Sequence, residues 1–154
     1  MDLDETVLDN SKYQIDLTKK GESYNPESWS EWVNLKEAEL VPGAKKFIDN
    51  VKKTNVRIVF LSNRMDKNKL PTIENMEQLS IVDSDDIFLL RLNKEDKKHV
   101  RRSEIINGDG RFSEVGPLKV LAYFGDAKHD FPDDDNFTFG QNMFMFPNPM
   151  YGKW

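Results

Sequence analysis

The first residues of the chain place two carboxylates at a spacing that could do chemistry. Asp2 and Asp4 are separated by one residue and are followed by the hydroxyl of Thr6. Alternate residues of an extended segment point to the same side, so the two carboxylates could share one face, although a turn after Asp2 would separate them. Taken alone, such a string is more often a solvated terminus or a helix cap than a site.

Further polar side chains stand where predicted strands end. Ser62 and Asn63 close one apolar run, Asp126 closes another, and Asp130 follows four residues later. Ligands of open α/β sheets bind beyond the carboxyl ends of the strands, so these groups could meet Asp2 at one edge. Converging carboxylates repel one another unless a hard cation such as Mg²⁺, which takes oxygen ligands, lies among them. The pattern therefore indicates a Mg²⁺ site.

The elements needed to position these residues are predicted by apolar periodicity. Compact apolar runs predict strands at 56–63, 86–92, 118–126 and 143–146. Amphipathic patterns between them predict helices at 42–54, 72–79 and 96–106. Helices that alternate with strands imply right-handed crossovers and a parallel sheet, so the expected fold class is α/β with a doubly wound, Rossmann-like sheet.

Two regions interrupt this alternation. Residues 11–40 predict an inserted flap, with Pro26 in the first turn of a helix that runs through 27–40. Residues 107–117 are rich in glycine and turn formers, and they predict an exposed loop between a helix and the third strand.

The composition excludes several classes of function. The 154 residues suit one domain, and 22 Lys and Arg against 27 Asp and Glu give a net charge of −5, which argues against a nucleic-acid polymer as partner. The absence of cysteine excludes disulfides, thiolate metal sites and cysteine nucleophiles. The apolar runs are too short for a transmembrane segment, and the first residues do not resemble a signal peptide.

Several strings of the sequence resemble a known family. DLDETVLDNS, LSNR and GDxxxDF are similar to the first, second and fourth motifs of the haloacid dehalogenase superfamily. DNSKYQ, SWSEWV, VPGAKKFID and PNPMYGKW are similar to one branch, the class C acid phosphatases or lipoprotein-e family of bacterial nucleotidases. The likeness covers nearly the whole chain. It implies a single haloacid dehalogenase-like phosphatase domain over residues 1–154, with the flap at about 11–40 as its cap.

The resemblance implies a phosphoaspartyl mechanism acting on phosphomonoesters. Asp2 would be the nucleophile, and Asp4 would be the general acid that protonates the leaving alkoxide. Ser62 would hydrogen-bond the phosphoryl oxygens, with the amide of Asn63 assisting. The Mg²⁺ shell would consist of Asp2, Asp126, Asp130 and the backbone carbonyl of Asp4.

The third motif of the superfamily requires a lysine that neutralises the phosphoryl group. In the string KEDKKHVRR, the family-like spacing selects Lys98, with Lys97 as the alternative one residue away. Lys94 and Arg102 of the same run are interpreted as part of a solvated helix face.

Aromatic residues bear on the choice of substrate. The branch is known for phosphomonoesterase and 5′-nucleotidase activity, and Trp29 and Tyr151 occupy positions that resemble its aromatic clamp for bases. Stacking accepts any base, so nucleoside 5′-monophosphates would be favoured without excluding smaller esters. Trp32 is interpreted as a core residue of the flap helix.

Two departures from the family pattern matter. The family carries an apolar strand directly before the nucleophile, whereas this sequence has only Met1 there, which predicts a chain trimmed at its amino end with any export signal upstream. Ala127 and Lys128 stand where the family has Asn and Leu, which predicts weaker metal binding.

The sequence leaves three alternatives for the function, of which we expect a Mg²⁺-dependent acid phosphatase. A receiver-type signalling domain also clusters aspartates, a hydroxyl and a lysine around Mg²⁺, but its acceptor aspartate lies in mid-chain. The third alternative is a non-catalytic relative with a storage or interaction role. The resemblance further suggests the bacterial periplasm, an outer-membrane lipoprotein or secretion as location and small phosphate esters as partners, and it allows a homodimer.

Overall fold

The structure of the chain, a computed structural model, describes residues 1–152, so that Lys153 and Trp154 of the PNPMYGKW string lie outside the described residues. The strands are β1 (Leu8–Asp9), β2 (Glu39–Leu40), β3 (Val59–Met65), β4 (Ile87–Arg91), β5 (Tyr123–Gly125) and β6 (Met143–Met145). The α-helices are α1 (Ser11–Lys20), α2 (Pro26–Leu35), α3 (Ala44–Val51), α4 (Lys69–Gln78) and α5 (Lys98–Asn107). Short 3₁₀ turns are formed by Asp66–Asn68, Gly110–Phe112 and Lys128–Asp130. Within residues 1–152, no helix is long and apolar enough to cross a bilayer.

Two parallel strand pairs flank the amino-terminal residues. β3 pairs with β4, and β5 pairs with β6. The Leu61 amide donates to the Met1 carbonyl at 2.8 Å, and the Met1 amino group donates to the Val59 carbonyl at 2.9 Å. On the other side, the Asp2 amide donates to the Phe124 carbonyl at 2.8 Å. These bonds join the two pairs through Met1 and Asp2, and the predicted α/β fold with parallel strands is confirmed.

Two strands begin later than their apolar runs predict. The runs at 56–63 and 118–126 become strands only at Val59 and Tyr123. A groove of about 950 Å³ separates the residues that precede these two strands, and it adjoins Met1. These residues border the groove instead of a neighbouring strand, and backbone without ladder partners is not held in a strand. The runs predicted for β4 and β6 match the structure to within one residue at each end.

The three predicted helices are present with shifted ends. α3, α4 and α5 correspond to the helices expected at 42–54, 72–79 and 96–106. α3 begins late because Gly43 adopts a left-handed φ of 89°, which makes Pro42 and Gly43 a turn before the helix. α5 ends where Gly108, with a φ of 70°, donates its amide to the Glu104 carbonyl as a helix cap.

Residues 11–40 fold onto the body of the protein as two helices and a strand. α1 was not predicted, whereas α2 begins at Pro26 as expected and is capped by the side chain of Asn25. The helix predicted over 27–40 ends early because Lys36 takes a left-handed φ of 58°. The chain then turns into β2, which pairs with β1 in antiparallel fashion.

Three apolar clusters pack on the strands of the described residues. The largest contains Leu3, Phe60, Ile48 and Trp32, so the prediction of Trp32 as a core residue is confirmed. A second joins β3, β4 and α5 to Phe112, whose side chain is fully buried, and a third lies on β5 and β6. The loop expected to be exposed at 107–117 therefore contributes to the core, and that expectation is wrong at Phe112.

Candidate active site

Three buried carboxylates converge at the carboxyl edge of the sheet. Asp2 lies between β3 and β5, Asp126 follows β5 directly, and Asp130 ends the next 3₁₀ turn. Each offers a carboxylate oxygen, and the three oxygens lie within 4.8 Å of one another. The structure therefore brings together the three aspartates that the strand-end argument expects to meet.

The turn that carries Asp130 depends on a glycine. A Cβ at Gly125 would lie 2.4 Å from the Asp130 Cβ, so only glycine admits this close approach. Oδ2 of Asp130 accepts hydrogen bonds from the amides of Asp126 at 3.1 Å and Ala127 at 3.0 Å. These bonds fix the carboxylate and leave its Oδ1 to contact Lys98.

Asp126 is held by the segment that follows β6. The Asn148 side-chain amide, on a residue only 1% exposed, donates to Asp126 Oδ2 at 2.7 Å. Asn148 Oδ1 in turn accepts from the amides of Met150 at 3.1 Å and Tyr151 at 3.0 Å. The backbone that carries Tyr151 is thus tied to the carboxylate cluster.

One lysine stands among these carboxylates. Lys98, the first residue of α5, is buried and bridges Asp2 and Asp130 through its ammonium. Burial would lower the pKa of Lys98, but the charges of Asp2 and Asp130 outweigh it and raise that pKa, so the ammonium stays charged. Lys97 is exposed to solvent. The ammonium of Lys98 therefore lies among the carboxylates, and the third-motif role of either lysine stays a prediction.

Burial and mutual charge set the ionisation of the cluster. Burial raises the pKa of Asp2, Lys98 opposes the shift, and the charges of Asp130 and Asp4 add to it. Burial also raises the pKa of Asp126. For Asp130 burial acts in the same direction, but the charge and hydrogen bond of Lys98 hold its pKa below the usual value. One ammonium is therefore insufficient to compensate all three carboxylates.

The donor set fits a hard divalent cation. Three carboxylates and one ammonium leave two negative charges, which a divalent cation would balance. Mg²⁺ prefers oxygen ligands in octahedral geometry and keeps several waters, so Asp2, Asp126 and Asp130 are the residues that would hold it. The Asp4 carboxylate is directed at Arg64 instead. The expected contribution of Asp4 to the metal shell is therefore limited to its backbone carbonyl.

Asp4 and Ser62 lie next to each other beside the cluster. Asp4 Oδ1 accepts hydrogen bonds from Arg64 Nε at 2.9 Å and Asn10 Nδ2 at 3.0 Å. Its Oδ2 lies 3.4 Å from the Ser62 hydroxyl oxygen. That hydroxyl also accepts from the Arg64 amide at 3.0 Å, so the structure fixes where the Ser62 side chain points.

Asn63 contacts α5 and the turn that carries His129, and Arg102 differs from what the sequence suggests. The Asn63 side chain is exposed, accepts from Arg101 Nη2 at 2.7 Å and contacts His129 Nε2 at 3.1 Å, and its contact with a phosphoryl group stays a prediction. Arg102 was interpreted as solvated, but it is half-buried and donates to the His129 carbonyl at 3.0 Å. The interpretation of Arg102 is wrong because α5 packs against the turn that carries His129.

The two predicted clamp residues have different surroundings. Trp29 is half-buried, with its ring 5.1 Å from that of Tyr13 and 5.7 Å from the Arg64 guanidinium. Tyr151 is 42% exposed, and its hydroxyl donates to the carboxylate of Glu5. Burial, with a contribution from Asp4, raises the pKa of Glu5 to about 8. Each aromatic residue thus contacts an ionisable side chain that neighbours or binds Asp4.

The groove beside Met1 adjoins the cluster from the opposite side. Asp2, Lys98 and Asp130 line one end of it, but most of its wall consists of residues that precede β3, β4 and β5. Substrates of open α/β sheets enter at the carboxyl edge of the strands. Asp4 and Ser62 lie at that edge, and the groove lies on the other side of the cluster.

The sequence argument missed several buried polar partners of the predicted site. These partners are Asn10, Arg64, Arg101 and Asn148. The sequence does indicate a partner for Arg64. It directly follows a predicted buried strand, and a charged side chain at such a position is rarely buried unless it is paired. Asn148, between two prolines, carries no such signal.

Comparisons with known proteins agree with this geometry. The sequence profile of the HAD superfamily, subfamily IIIB (acid phosphatase), matches residues 1–154. The structure is similar to two crystal structures of the class C acid phosphatase from Bacillus anthracis, one of them with tungstate bound, at 33% and 32% sequence identity and a TM-score of 0.78 for each. Both matches cover 98% of this chain, and this chain spans 66% of the length of each of those chains.

Proposed function

Because the chain belongs to subfamily IIIB of the HAD superfamily, the acid phosphatases, we propose that it hydrolyses phosphomonoesters with Mg²⁺ through a phosphoaspartate on Asp2. The observation that carries this proposal is the buried cluster of Asp2, Asp126 and Asp130 around Lys98, with Asp4 beside it. A receiver domain would share the cluster, but its phosphoryl transfer does not require an acid two residues beyond the acceptor aspartate.

The chain's own residues divide the reaction between them. An oxygen of Asp2 attacks phosphorus, the bond to the ester oxygen breaks, and Asp4 gives that oxygen its proton. Water then attacks the phosphoaspartate, Asp4 takes a proton from it, and phosphate leaves while Asp2 is regenerated. Lys98 offsets the negative charge of Asp2 and of the phosphoryl group. A bound Mg²⁺ would supply Lewis-acid polarisation of the phosphoryl oxygens.

The substrate class follows from the aromatic residues and the oxyanion. Tungstate, which the B. anthracis enzyme binds, is a tetrahedral oxyanion like phosphate. Trp29 and Tyr151 would stack on a nucleobase, and each stacked base contributes about 1–3 kcal/mol. Nucleoside 5′-monophosphates are therefore proposed as favoured substrates, and smaller esters as accepted ones.

Metal removal tests the proposed reaction. The protein is expected to release para-nitrophenol from para-nitrophenyl phosphate over many turnovers with Mg²⁺, to stop when EDTA is added, and to recover when Mg²⁺ is restored. Ca²⁺ is the matched control, because its longer bonds and flexible coordination suit the same ligands poorly for this chemistry. Stoichiometric labelling without sustained release would indicate a receiver domain, and a folded protein without any release would indicate a non-catalytic relative.

Trp29→Ala tests the nucleotide preference. We expect the KM for a nucleoside 5′-monophosphate to rise by about 5- to 100-fold, the equivalent of one lost stacking contact, while the KM for glycerol phosphate stays nearly constant. Steady-state phosphate release on both esters measures the difference. Phe139→Ala, which truncates an exposed aromatic residue elsewhere, serves as the control. Equal effects of Trp29→Ala on both esters would contradict a base-stacking role.

A further inference from the structure

Arg64 is a buried arginine to which the proposed reaction assigns no role. It lies near the end of β3 and is 2% exposed. Its Nε lies 2.9 Å and its Nη2 2.8 Å from Oδ1 of Asp4, so the guanidinium faces one oxygen of that carboxylate with two nitrogens. A charge-assisted hydrogen bond from a buried guanidinium fixes the orientation of a carboxylate as well as offsetting its charge.

The two oxygens of Asp4 have unequal surroundings. Oδ1 accepts hydrogen bonds from Arg64 Nε at 2.9 Å and from the side-chain amide of Asn10 at 3.0 Å. These two bonds occupy its two lone pairs. Oδ2 contacts the Ser62 hydroxyl at 3.4 Å, on the side where the phosphoryl group is proposed to bind. A proton exchanged with substrate therefore has only Oδ2 to occupy.

Further hydrogen bonds hold the Arg64 guanidinium in place. Its Nη1 donates to the Thr72 hydroxyl at 3.1 Å and its Nη2 to Asn10 Oδ1 at 3.3 Å. Thr72 is fixed in turn by a bond to the Asn68 carbonyl at 2.8 Å. The guanidinium carbon lies over the Trp29 ring, 5.7 Å from its centre. One immobile side chain thus links the acid to the wall of the proposed base site.

We propose that Arg64 is a positioning residue that keeps Asp4 oriented with Oδ2 toward the ester oxygen of the substrate, and that the same guanidinium supports Trp29. This inference rests on the proposed phosphatase function. The proton passes from Oδ2 to the departing alkoxide as the phosphorus–oxygen bond breaks, and it is replaced from the attacking water. A carboxylate free to rotate would present Oδ2 only part of the time, and misorientation of a reacting group slows the step it serves.

Poor leaving groups separate this role from a purely structural one. An alkyl alkoxide needs protonation as it departs, whereas para-nitrophenolate leaves well without it. A positioning residue for the acid therefore lowers kcat/KM for alkyl phosphates much more than for nitrophenyl phosphate. The quantity compared is kcat/KM because it ends at departure of the leaving group and leaves out the later attack of water, in which Asp4 serves both esters alike. A residue that only stabilises the fold lowers both rates by the same factor.

The test compares Arg64→Lys with the wild type. Lysine keeps the charge but has only one nitrogen, so we expect kcat/KM for glycerol phosphate to fall by about 30-fold and kcat/KM for para-nitrophenyl phosphate by less than about 3-fold. Asp4→Asn should reproduce the same bias, and the double variant Asp4→Asn/Arg64→Lys should add no further bias. The control is Arg111→Lys, the same exchange in the separate ion-pair network of Asp96 and Glu104. Equal loss on both esters in Arg64→Lys would overturn the proposal.

Crystal structures of the wild type and Arg64→Lys give a readout that is independent of turnover. The Asp4 carboxylate is expected to rotate away from Asn10 in the variant and to keep its place in Arg111→Lys. An unchanged Asp4 in Arg64→Lys overturns the positioning role even if the wild type releases no phosphate. A wild type without turnover but with a rotated Asp4 in the variant contradicts the proposed function alone.

Discussion

Asp2→Asn is expected to reduce phosphate release by at least about a thousandfold while leaving the fold intact. The amide has no free carboxylate oxygen with which to attack phosphorus, and the remaining residues cannot supply one in the same place. The strand position of this residue depends on its backbone, whose amide donates to the Phe124 carbonyl at 2.8 Å, so the substitution leaves the ladder unchanged. Steady-state release from para-nitrophenyl phosphate measures the loss, and circular dichroism checks the fold.

The stability of Asp2→Asn provides a second expectation. Burial raises the pKa of the Asp2 carboxyl, which means that its ionised form is disfavoured where it stands. A neutral amide of the same shape therefore fits the site, and the melting temperature in EDTA should stay close to that of the wild type. Asp2→Ala guards against slow hydrolysis of the new amide to a carboxylate, and Asp135→Asn is the control at an exposed aspartate. Retention of more than a tenth of the wild-type rate in both Asp2 variants would exclude Asp2 as the nucleophile.

The bounds of a strand could be predicted where the apolar run pairs with another strand along its length, and less well where part of the run borders the groove. The apolar runs that became β4 and β6 are dense in large apolar residues, which is typical of strands buried on both faces. The runs at 56–63 and 118–126 predict longer strands, yet their first residues border the groove and lie outside β3 and β5. Hydropathy reports which residues are suited to a strand, and pairing decides which of them form one.

In the flap, some helix ends could be predicted from the sequence and others could not. α1 buries only Tyr13 and Leu17, an i, i+4 pair that is too sparse to give a clear helical period. The end of α2 depends on a left-handed Lys36, and no residue type marks that position. Pro26 and Asn25, by contrast, are standard first-turn and cap residues, and the start of α2 could be predicted from them.

The acidic part of the site was predictable because strand ends share an edge. Asp2, Asp126 and Asp130 meet as that rule requires, and the spacing from the family resemblance selected Lys98. The orientation of Asp4 was not predictable. It depends on which donors reach its carboxylate, and those donors come from β3 and from the residue before α1, far apart in sequence.

Lys98→Met is expected to lower both the stability of the fold and the rate of phosphate release. Methionine has nearly the same length but no charge, so the cluster of Asp2, Asp126 and Asp130 loses the ammonium that bridges two of its carboxylates. Removing one partner of a buried ion pair costs about 3–5 kcal/mol of unfolding free energy. Turnover should fall as well, because the negative charge of Asp2 and of the phosphoryl group is then less well offset. Chemical denaturation in EDTA and phosphate release with Mg²⁺ measure the two effects.

The deficit in unfolding free energy of Lys98→Met relative to the wild type should change with pH in one direction. Lys98 lowers the pKa of Asp130 and opposes the rise in the pKa of Asp2, so both carboxyls bind protons more readily in the folded variant than in the folded wild type. A carboxyl whose pKa is higher in the folded than in the unfolded state contributes stability at low pH and loses it as pH rises through that interval. The deficit of Lys98→Met should therefore be smallest near about pH 4 and grow toward neutral pH.

Adding Mg²⁺ tests whether Lys98→Met is destabilised by the lost positive charge or by altered packing. A cation bound by Asp2, Asp126 and Asp130 replaces part of the missing positive charge, so Mg²⁺ should raise the melting temperature of Lys98→Met more than that of the wild type. Lys97→Met is the matched control, one residue away and exposed, and it should change neither stability nor rate. If Mg²⁺ stabilises Lys98→Met no more than the wild type, the carboxylates do not hold the ion together, and the charge balance of the site must be reassigned. If Lys97→Met instead shows the loss of turnover, the third-motif lysine is Lys97, and α5 presents the other side of its first turn to the substrate.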